Sequence, residues 1–389
     1  MSEPIVLASE QPPIRRSGLW LVGIALYILL ISTGAVLGGE IGNFTTASFN
    51  VLPFVGLAIL AYFAGSQFNW AWIATGLWLA LVIGLTAVYA LGFGIVGIIL
   101  PLEGFDANQP PNISPDAVGS IVRLMLVIFV AIGIGLLTML PPLRQALARF
   151  MPLDPASFVH TVALMAIVTI SLIMFAPLLI IGEPPLLILI NSLGGENFIE
   201  LTPDEQLRNQ VYGLVWTIPA AFLAVGFGIR RNFRAALERL GLARPSYRQL
   251  AIGIGLGLGL AGLMSIAIPL LDRLWQTLGW PTTDTEAFGQ LMAFAISPIG
   301  ALIIGVTAGL GEELAVRGVL QPRLGIVLSN IFFTSLHAFQ YHWDALLVVF
   351  VIGIVCGLVR KYTNTTTAAI VHGLYNFVMV MLAVTSESL

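Results

Sequence analysis

Glu312 and Glu313 stand side by side in Gly311-Glu312-Glu313-Leu-Ala-Val-Arg317, near the end of a strongly apolar stretch. A charge within hydrocarbon costs at least ~2.5 kcal/mol, so such residues tend to mark functional sites. Two further apolar stretches carry Phe333-Thr-Ser-Leu-His337 and His372-Gly-Leu-Tyr-Asn376. Glu313 and Arg317 are four apart with the acid N-terminal, the favourable order for a helical ion pair. On an α-helix Glu312 is rotated by about 100° from Glu313. One carboxylate is therefore expected to be held by the arginine while the other faces a cavity.

The chemistry open to this set is hydrolytic. A carboxylate and an imidazole together can deprotonate a water. A second imidazole and an amide NH₂ can donate hydrogen bonds to a developing oxyanion. These groups suffice to hydrolyse an amide without a covalent intermediate. Glu312, His337 and His372 are equally a three-ligand set for a catalytic Zn²⁺, the one cofactor these residues suggest, with water in the fourth position. Glu313, paired with Arg317, would then be a poor base. The H-E-x-x-H zinc signature is absent. Residue types leave metal-free and metal-bound hydrolysis both open.

The elements that must position these groups are transmembrane helices. Apolar residues form 58% of the 389-residue chain and charged residues only 10%, with a mean hydropathy of +0.95. Apolar runs of roughly 20 residues, enough to cross ~30 Å of hydrocarbon, recur near 18–38, 50–66, 70–94, 119–141, 158–182, 209–229, 249–271, 292–316, 326–340, 345–360 and 365–385. The expected fold is all-α, a polytopic integral membrane bundle of about eleven helices. At ~1.5 Å per residue, Glu312 lies up to ~16 Å from Arg323, His337 ~18 Å from the turn at Gly325 and His372 ~12 Å from Asn364. The three motifs are thus expected at a similar depth.

Charge bias orients that bundle. Arg15, Arg16, Arg144, Arg149, Arg230, Arg231, Arg234, Arg239, Arg244, Arg248, Arg317, Arg323, Arg360 and Lys361 fall on one side of the expected topology, and only Arg123, Arg208 and Arg273 on the other. The positive-inside rule makes the first side cytoplasmic, with the N-terminus there, the C-terminus outside, and the plasma membrane the expected location. Asp106, Asp116, Glu196, Glu200, Asp204 and Glu205 fall opposite. Arg15-Arg16 precedes a run of span length with no small-x-small cleavage site, so it reads as an uncleaved anchor rather than an export signal. The single cysteine, Cys356, leaves no disulfide framework and no Cys-based metal site. A net charge of −3 and the lack of a basic patch interleaved with aromatics give no sign of nucleic acid. The basic segment 230–248 reads as a solvated, topology-setting helix. It is also placed to touch anionic lipid heads.

Along the chain there is no internal repeat and no low-complexity segment. The loop at 102–118 is rich in Pro, Asn and Asp, and 184–193 is a short apolar stretch broken by Pro184 and Pro185. Thr202 with Glu205 reads as a capping box, and Trp275 and Trp280 suit an interfacial segment. Gly257-Leu-Gly259-Leu-Ala-Gly262 matches the dinucleotide fingerprint only by pattern. It lies inside an apolar run with no strand before it, so close helix packing is the better reading. His160, near a helix start, and His342, in a loop, read as structural hydrogen-bonding residues.

Glu312-Glu313-x-x-x-Arg317, Phe333-x-x-x-His337 and His372-x-x-x-Asn376, in order on successive apolar segments, resemble the three motifs of the CPBP family. That family comprises polytopic intramembrane proteases, including CAAX-type prenyl endopeptidases and bacteriocin-processing or immunity proteins. The resemblance covers about residues 300–380 and implies roles residue by residue. Glu312 with His337 activates water, His372 with Asn376 stabilises the oxyanion, Glu313 and Arg317 orient and support, and Phe333 packs. It implies a lipid bilayer setting and a peptide or lipidated protein as substrate. Residues 291–389 then form the protease domain, preceded by a multi-span region, 1–290, of unassigned role. A transporter or channel using the same Glu and His residues as a proton or ion site is the rival class. Against it stand the absence of inverted repeats and the crowding of all these polar groups into the last quarter. A third reading is a protease-like protein that only binds. Substrate identity and oligomeric state are not legible in the residues.

Overall fold

A computed structural model describes residues 19–65, 69–101, 114–194 and 201–387. Arg15, Arg16, Asp106, Glu196 and Glu200 lie outside the described residues. The architecture is all-helical, and among the described residues the one β-bridge is the isolated pair Phe227–Arg231. In chain order the helices are α1 (Leu19–Leu37), α2 (Gly39–Ala47), α3 (Leu52–Ala64), α4 (Asn69–Ile99), α5 (Pro115–Leu137), α6 (Pro141–Leu147), α7 (Phe158–Ile181) and α8 (Pro185–Leu193). They continue with α9 (Pro203–Ala224), α10 (Phe233–Leu240), α11 (Tyr247–Thr277), α12 (Thr285–Met292), α13 (Pro298–Val306), a π-helical stretch over 307–320, α14 (Gln321–Ser335), α15 (Trp343–Tyr362) and α16 (Thr365–Glu387).

By length and apolar composition seven of the described helices can cross a membrane, or eight if the bent pair Gly39–Asn50 and Leu52–Ala64 is one span. Among the described residues the expected count of about eleven is therefore not reached, and two of the differences have identifiable reasons. Helix α9 opens on Asp204, Glu205, Gln206, Arg208, Asn209 and Gln210, which leave too little apolar length for a span. Residues expected to form two spans, 292–316 and 326–340, belong to one segment, Pro298–Ser335. That segment is kinked at Gly325, whose φ of 74° lies in the left-handed region that glycine adopts at no steric cost.

Helix α7 and the Pro298–Ser335 segment are the most enclosed spans, with 61% and 50% of their apolar windows buried, against 22% for α5 and α11. The outer helices turn large apolar side chains such as Ile73, Leu77, Val88 and Phe129 outward, as a lipid-facing surface requires. Small residues let the helices bearing the motifs approach closely. A Cβ on Gly309 would lie 2.6 Å from the Ala369 carbonyl oxygen, and one on Gly305 would lie 2.8 Å from the Gly373 oxygen. This Gly-x-x-x-Gly face brings the backbones of α13 and the π-helical stretch against α16, as packing without a hydrophobic drive demands. Gly257 packs on α16 in the same way, with Leu374 Cβ 3.0 Å from its would-be Cβ, whereas Gly259 and Gly262 face open space.

The two ends of the bundle differ in charge. At one end Arg323 reaches Tyr62 and Arg239 bonds the carbonyl of Gly318. There too Arg360 lies beside Gly241, and the turn at Gly325 meets Pro152. The arginines sorted together by charge bias are therefore neighbours in space. At the other end Thr283 Oγ1 donates to Asp344 Oδ1 at 2.7 Å, and His342 Nε2 lies 2.8 Å from the Gly182 carbonyl oxygen. His342 and His160, whose Nδ1 accepts from the Asp154 N–H, are structural hydrogen-bonding residues as expected. Thr202 and Glu205 form the expected capping box, and Trp275 and Trp280 meet edge to face.

Substituting Gly309 by Val puts a branched side chain against backbone that cannot yield. Overpacking of this kind costs roughly 1–3 kcal/mol. Gly309→Val is expected to lower the thermal unfolding midpoint in detergent, while Gly262→Val, facing open space, leaves it within error.

Candidate active site

The acidic pair is carried on unusual helix geometry. Residues 307–312 and 314–320 are π-helical, with Glu313 between them. A π-turn closes i→i+5 bonds, advances each residue through a smaller angle than an α-turn, and is frequent at functional sites. The expectation that the two carboxylates face different neighbours is corrected accordingly: both reach His372. Glu313 Oε1 lies 2.9 Å from His372 Nδ1, and Glu312 Oε2 lies 3.9 Å from Nε2 of the same ring.

The two acids differ in environment. The Glu313 side chain is wholly buried, whereas that of Glu312 is 39% exposed. Glu313 Oε2 is held 3.2 Å from Arg317 Nε, the ion pair expected from the spacing. Arg317, itself buried, donates from Nη2 to the Gly353 carbonyl at 2.7 Å, which ties the motif helix to α15. A bonded carboxylate accepts, so His372 Nδ1 carries the proton in that contact and Nε2 is left facing Glu312.

Phe333 does more than fill space. Its ring lies 5.1 Å from the Arg317 guanidinium carbon, 4.8 Å from the His337 ring and 5.9 Å from the His372 ring. His337 lies just past the end of α14, in the turn leading to α15, with Nδ1 3.0 Å from the Phe333 carbonyl oxygen. A carbonyl can only accept, so Nδ1 donates and Nε2 is the free nitrogen of the neutral ring. Among the described residues no ion pair joins His337 to Glu312. Phe333 stands between the His337 and His372 rings, and Tyr341 stacks on His337 at 6.0 Å. Asn376 sits one turn beyond His372 on α16, half-buried, with its amide unengaged among the described residues.

Several residues of the site escape a motif search. Gly353 is one, since a Cβ there would lie 1.7 Å from Asn330 Oδ1 and block the approach of Arg317 to the backbone. Asn330 itself donates to the Phe350 carbonyl at 2.8 Å, locking α14 to α15. An amide inside an apolar run was the available signal for it. Tyr341 is another. Burial first, then Tyr375 and Glu312, push its phenol up, so it remains a neutral O–H donor. Its i+4 spacing from His337 was the available signal.

The metal reading fares differently. Glu313, Cys356 and His372 bring possible ligand atoms within 4.8 Å of one another, whereas Glu312, His337 and His372 are not so gathered. Glu313 is already engaged by a guanidinium and a ring N–H, and a divalent cation would have to displace both. The residues present therefore fit a metal ion poorly.

Breaking a buried ion pair from one side strands a charge and typically costs roughly 3–5 kcal/mol. Arg317→Met is expected to show a loss of that order in chemical unfolding, and Gly353→Ala a clear loss through the same contact. Glu312→Gln, on a partly exposed side chain, is expected to unfold like the parent protein.

Comparison with known proteins adds a family. Residues 294–378 match the family model described as type II CAAX prenyl endopeptidase Rce1-like. The matched segment runs from the turn before α13 into α16 and includes all three motifs. No curated protein matches the chain, and no solved structure does. The match supports a CAAX-type intramembrane protease and a multi-pass integral membrane protein. The match over residues 294–378 is thus in line with the resemblance to the CPBP family of intramembrane proteases, and it supports that reading for this segment.

Proposed function

We propose that this protein is an endopeptidase that hydrolyses peptide bonds of membrane-associated substrates, with CAAX-type prenylated peptides the leading class and bacteriocin-like peptides the second. The observation that carries the reading is the divided acidic pair. One carboxylate is locked by Arg317 and His372, and its neighbour is partly open and faces the same imidazole. Glu312 takes a proton from the attacking water, assisted by His337 through its free Nε2, and returns it to the departing amine as the tetrahedral intermediate collapses and the C–N bond breaks. As the carbonyl becomes tetrahedral, its oxygen gains charge. The Asn376 amide and the protonated His372 Nε2–H donate to it. Glu313 accepts from His372 Nδ1–H and so orients the imidazolium whose Nε2–H faces the oxyanion, and Arg317 holds Glu313. Apo geometry leaves these distances longer than in a loaded site, as catalytic hydrogen bonds tighten on substrate binding.

In this reading residues 291–389 are the catalytic unit and residues 1–290 shape its access. The arginine-rich end faces the cytoplasm, in the plasma membrane. Hydrolysis proceeds without a metal, because the engaged state of Glu313 favours a proton-transfer site over a coordination site. A transporter is the less favoured alternative.

Purified protein in proteoliposomes, given a farnesylated CAAX peptide, provides the test. Glu312→Gln is expected to cut cleavage by ~10²-fold or more, in the range of general-base loss, and Asn376→Ala by ~10²-fold. Chelation by phenanthroline or EDTA is expected to leave the rate unchanged. Undiminished cleavage by Glu312→Gln would overturn the assignment of the base. Solute flux dependent on Glu312 with no peptide product would favour the transporter.

A further inference from the structure

At the arginine-rich end, three guanidinium groups gather around Tyr62 and the carbonyls of Val225, Gly318 and Val319. Arg323, at the start of α14, is only 7% exposed and donates to the Tyr62 hydroxyl and, at 3.2 Å, to the Val319 carbonyl. Arg239, in the last turn of α10, donates to the carbonyls of Gly318 at 2.9 Å and Val319 at 3.5 Å. Arg231, in the loop after α9, donates to the Val225 carbonyl, and its Nη1 and the Tyr62 ring both lie against Gly226. The Tyr62 ring lies beneath Arg230 and Arg323, with centroid distances of 5.5 and 6.0 Å.

The carbonyl contacts explain where individual N–H groups point. They do not explain the charge. Among the described residues no carboxylate lies within ion-pair distance of Arg231, Arg239 or Arg323. Burial first, and then repulsion from Arg323, Arg231 and Arg360, hold the Arg239 guanidinium well below its ordinary proton affinity. A half-buried cluster of like charge without an acid is built to receive an anion.

The shape of the donors narrows the chemistry. Planar guanidinium forks from three directions match the tetrahedral oxygens of phosphate better than a single carboxylate edge. The cluster joins the ends of α3, the π-helical stretch and α14, where a spanning bundle meets headgroups. Basic pockets between spans bind anionic lipid heads. We propose that Arg231, Arg239 and Arg323 form a phosphate-binding site that takes the phosphate of an anionic lipid headgroup. Inorganic phosphate is the other source of the same chemistry. The carbonyls of Gly318 and Val319 end the helix that bears Glu312, Glu313 and Arg317, so occupancy would brace that helix. The site does not depend on the chain being a protease.

Thermal unfolding of the full chain in neutral detergent tests this, because a ligand that binds the folded state raises the midpoint. Titrants are dioctanoyl phosphatidylglycerol, dioctanoyl phosphatidylcholine and inorganic phosphate, at constant ionic strength. The expected result is a saturable rise with phosphatidylglycerol and none with phosphatidylcholine. Arg239→Gln with Arg323→Gln is expected to weaken the apparent Kd at least ~10-fold, the loss of a charge-assisted contact. Arg234→Gln, on an exposed side chain paired with Glu238 on the same helix, is expected to leave it unchanged. A rise with inorganic phosphate alone, lost in the double variant, keeps the site and assigns the free ion as its ligand. Equal rises with both lipids, or a rise retained in the double variant, overturn the proposal. If the double variant does not fold, competition in the parent protein decides. Inorganic phosphate must raise the apparent Kd for phosphatidylglycerol, and failure to compete overturns the shared site.

Discussion

The arrangement of the site depends on one buried carboxylate. Glu313 is removed from solvent, and such a charge is tolerable only when paired and hydrogen-bonded. Its two oxygens find a guanidinium on one side and a ring N–H on the other. Because Arg317 also grips the backbone of α15 and His372 rides on α16, a single carboxylate ties three helices together. It also fixes which nitrogen of His372 faces the neighbouring acid. The cost of burying Glu313 is offset by that order, and Glu312 is left free for chemistry.

This pairing exists only because backbones approach unusually closely. Gly305 and Gly309 let α16 come near enough for His372 to reach across, and Gly353 admits Arg317 to the main chain. The π-helical winding then swings Glu312 toward the same imidazole. Small residues, a helix irregularity and one ion pair cooperate, and none is sufficient alone. Loss of packing at the glycines would separate the groups without touching any of them.

Charge is sorted along the bundle in a way that serves both stability and location. One end gathers arginines around Tyr62, where they close helix ends and meet carbonyls. The opposite end is joined by a neutral and acidic network through Thr283, Asp344 and His342. Glu312, Glu313 and His372 lie within helices whose ends these networks hold, and His337 lies in the turn that leads to the second network.

The sequence alone determined the class of fold, the Glu313–Arg317 pair, the polar residues of three helices and their resemblance to a family, because charge in an apolar run and four-residue spacing are local facts. Of the arginines that charge bias put on one side, Arg239, Arg323 and Arg360 lie at one end of the bundle, whereas Arg317 is buried within it. The span count was not legible. Hydropathy does not see that α9 begins too polar or that 298–335 runs as one segment kinked at Gly325. Nor was the sharing of His372 by both acids. An α-helical wheel separates Glu312 from Glu313, and only the π-winding, stabilised by packing against α16, brings them to one ring. Asn330, Gly353, Cys356 and Tyr341 joined the site for the same reason. Their neighbours are distant in the chain, and which side chain meets which is decided by how closely the helices pack.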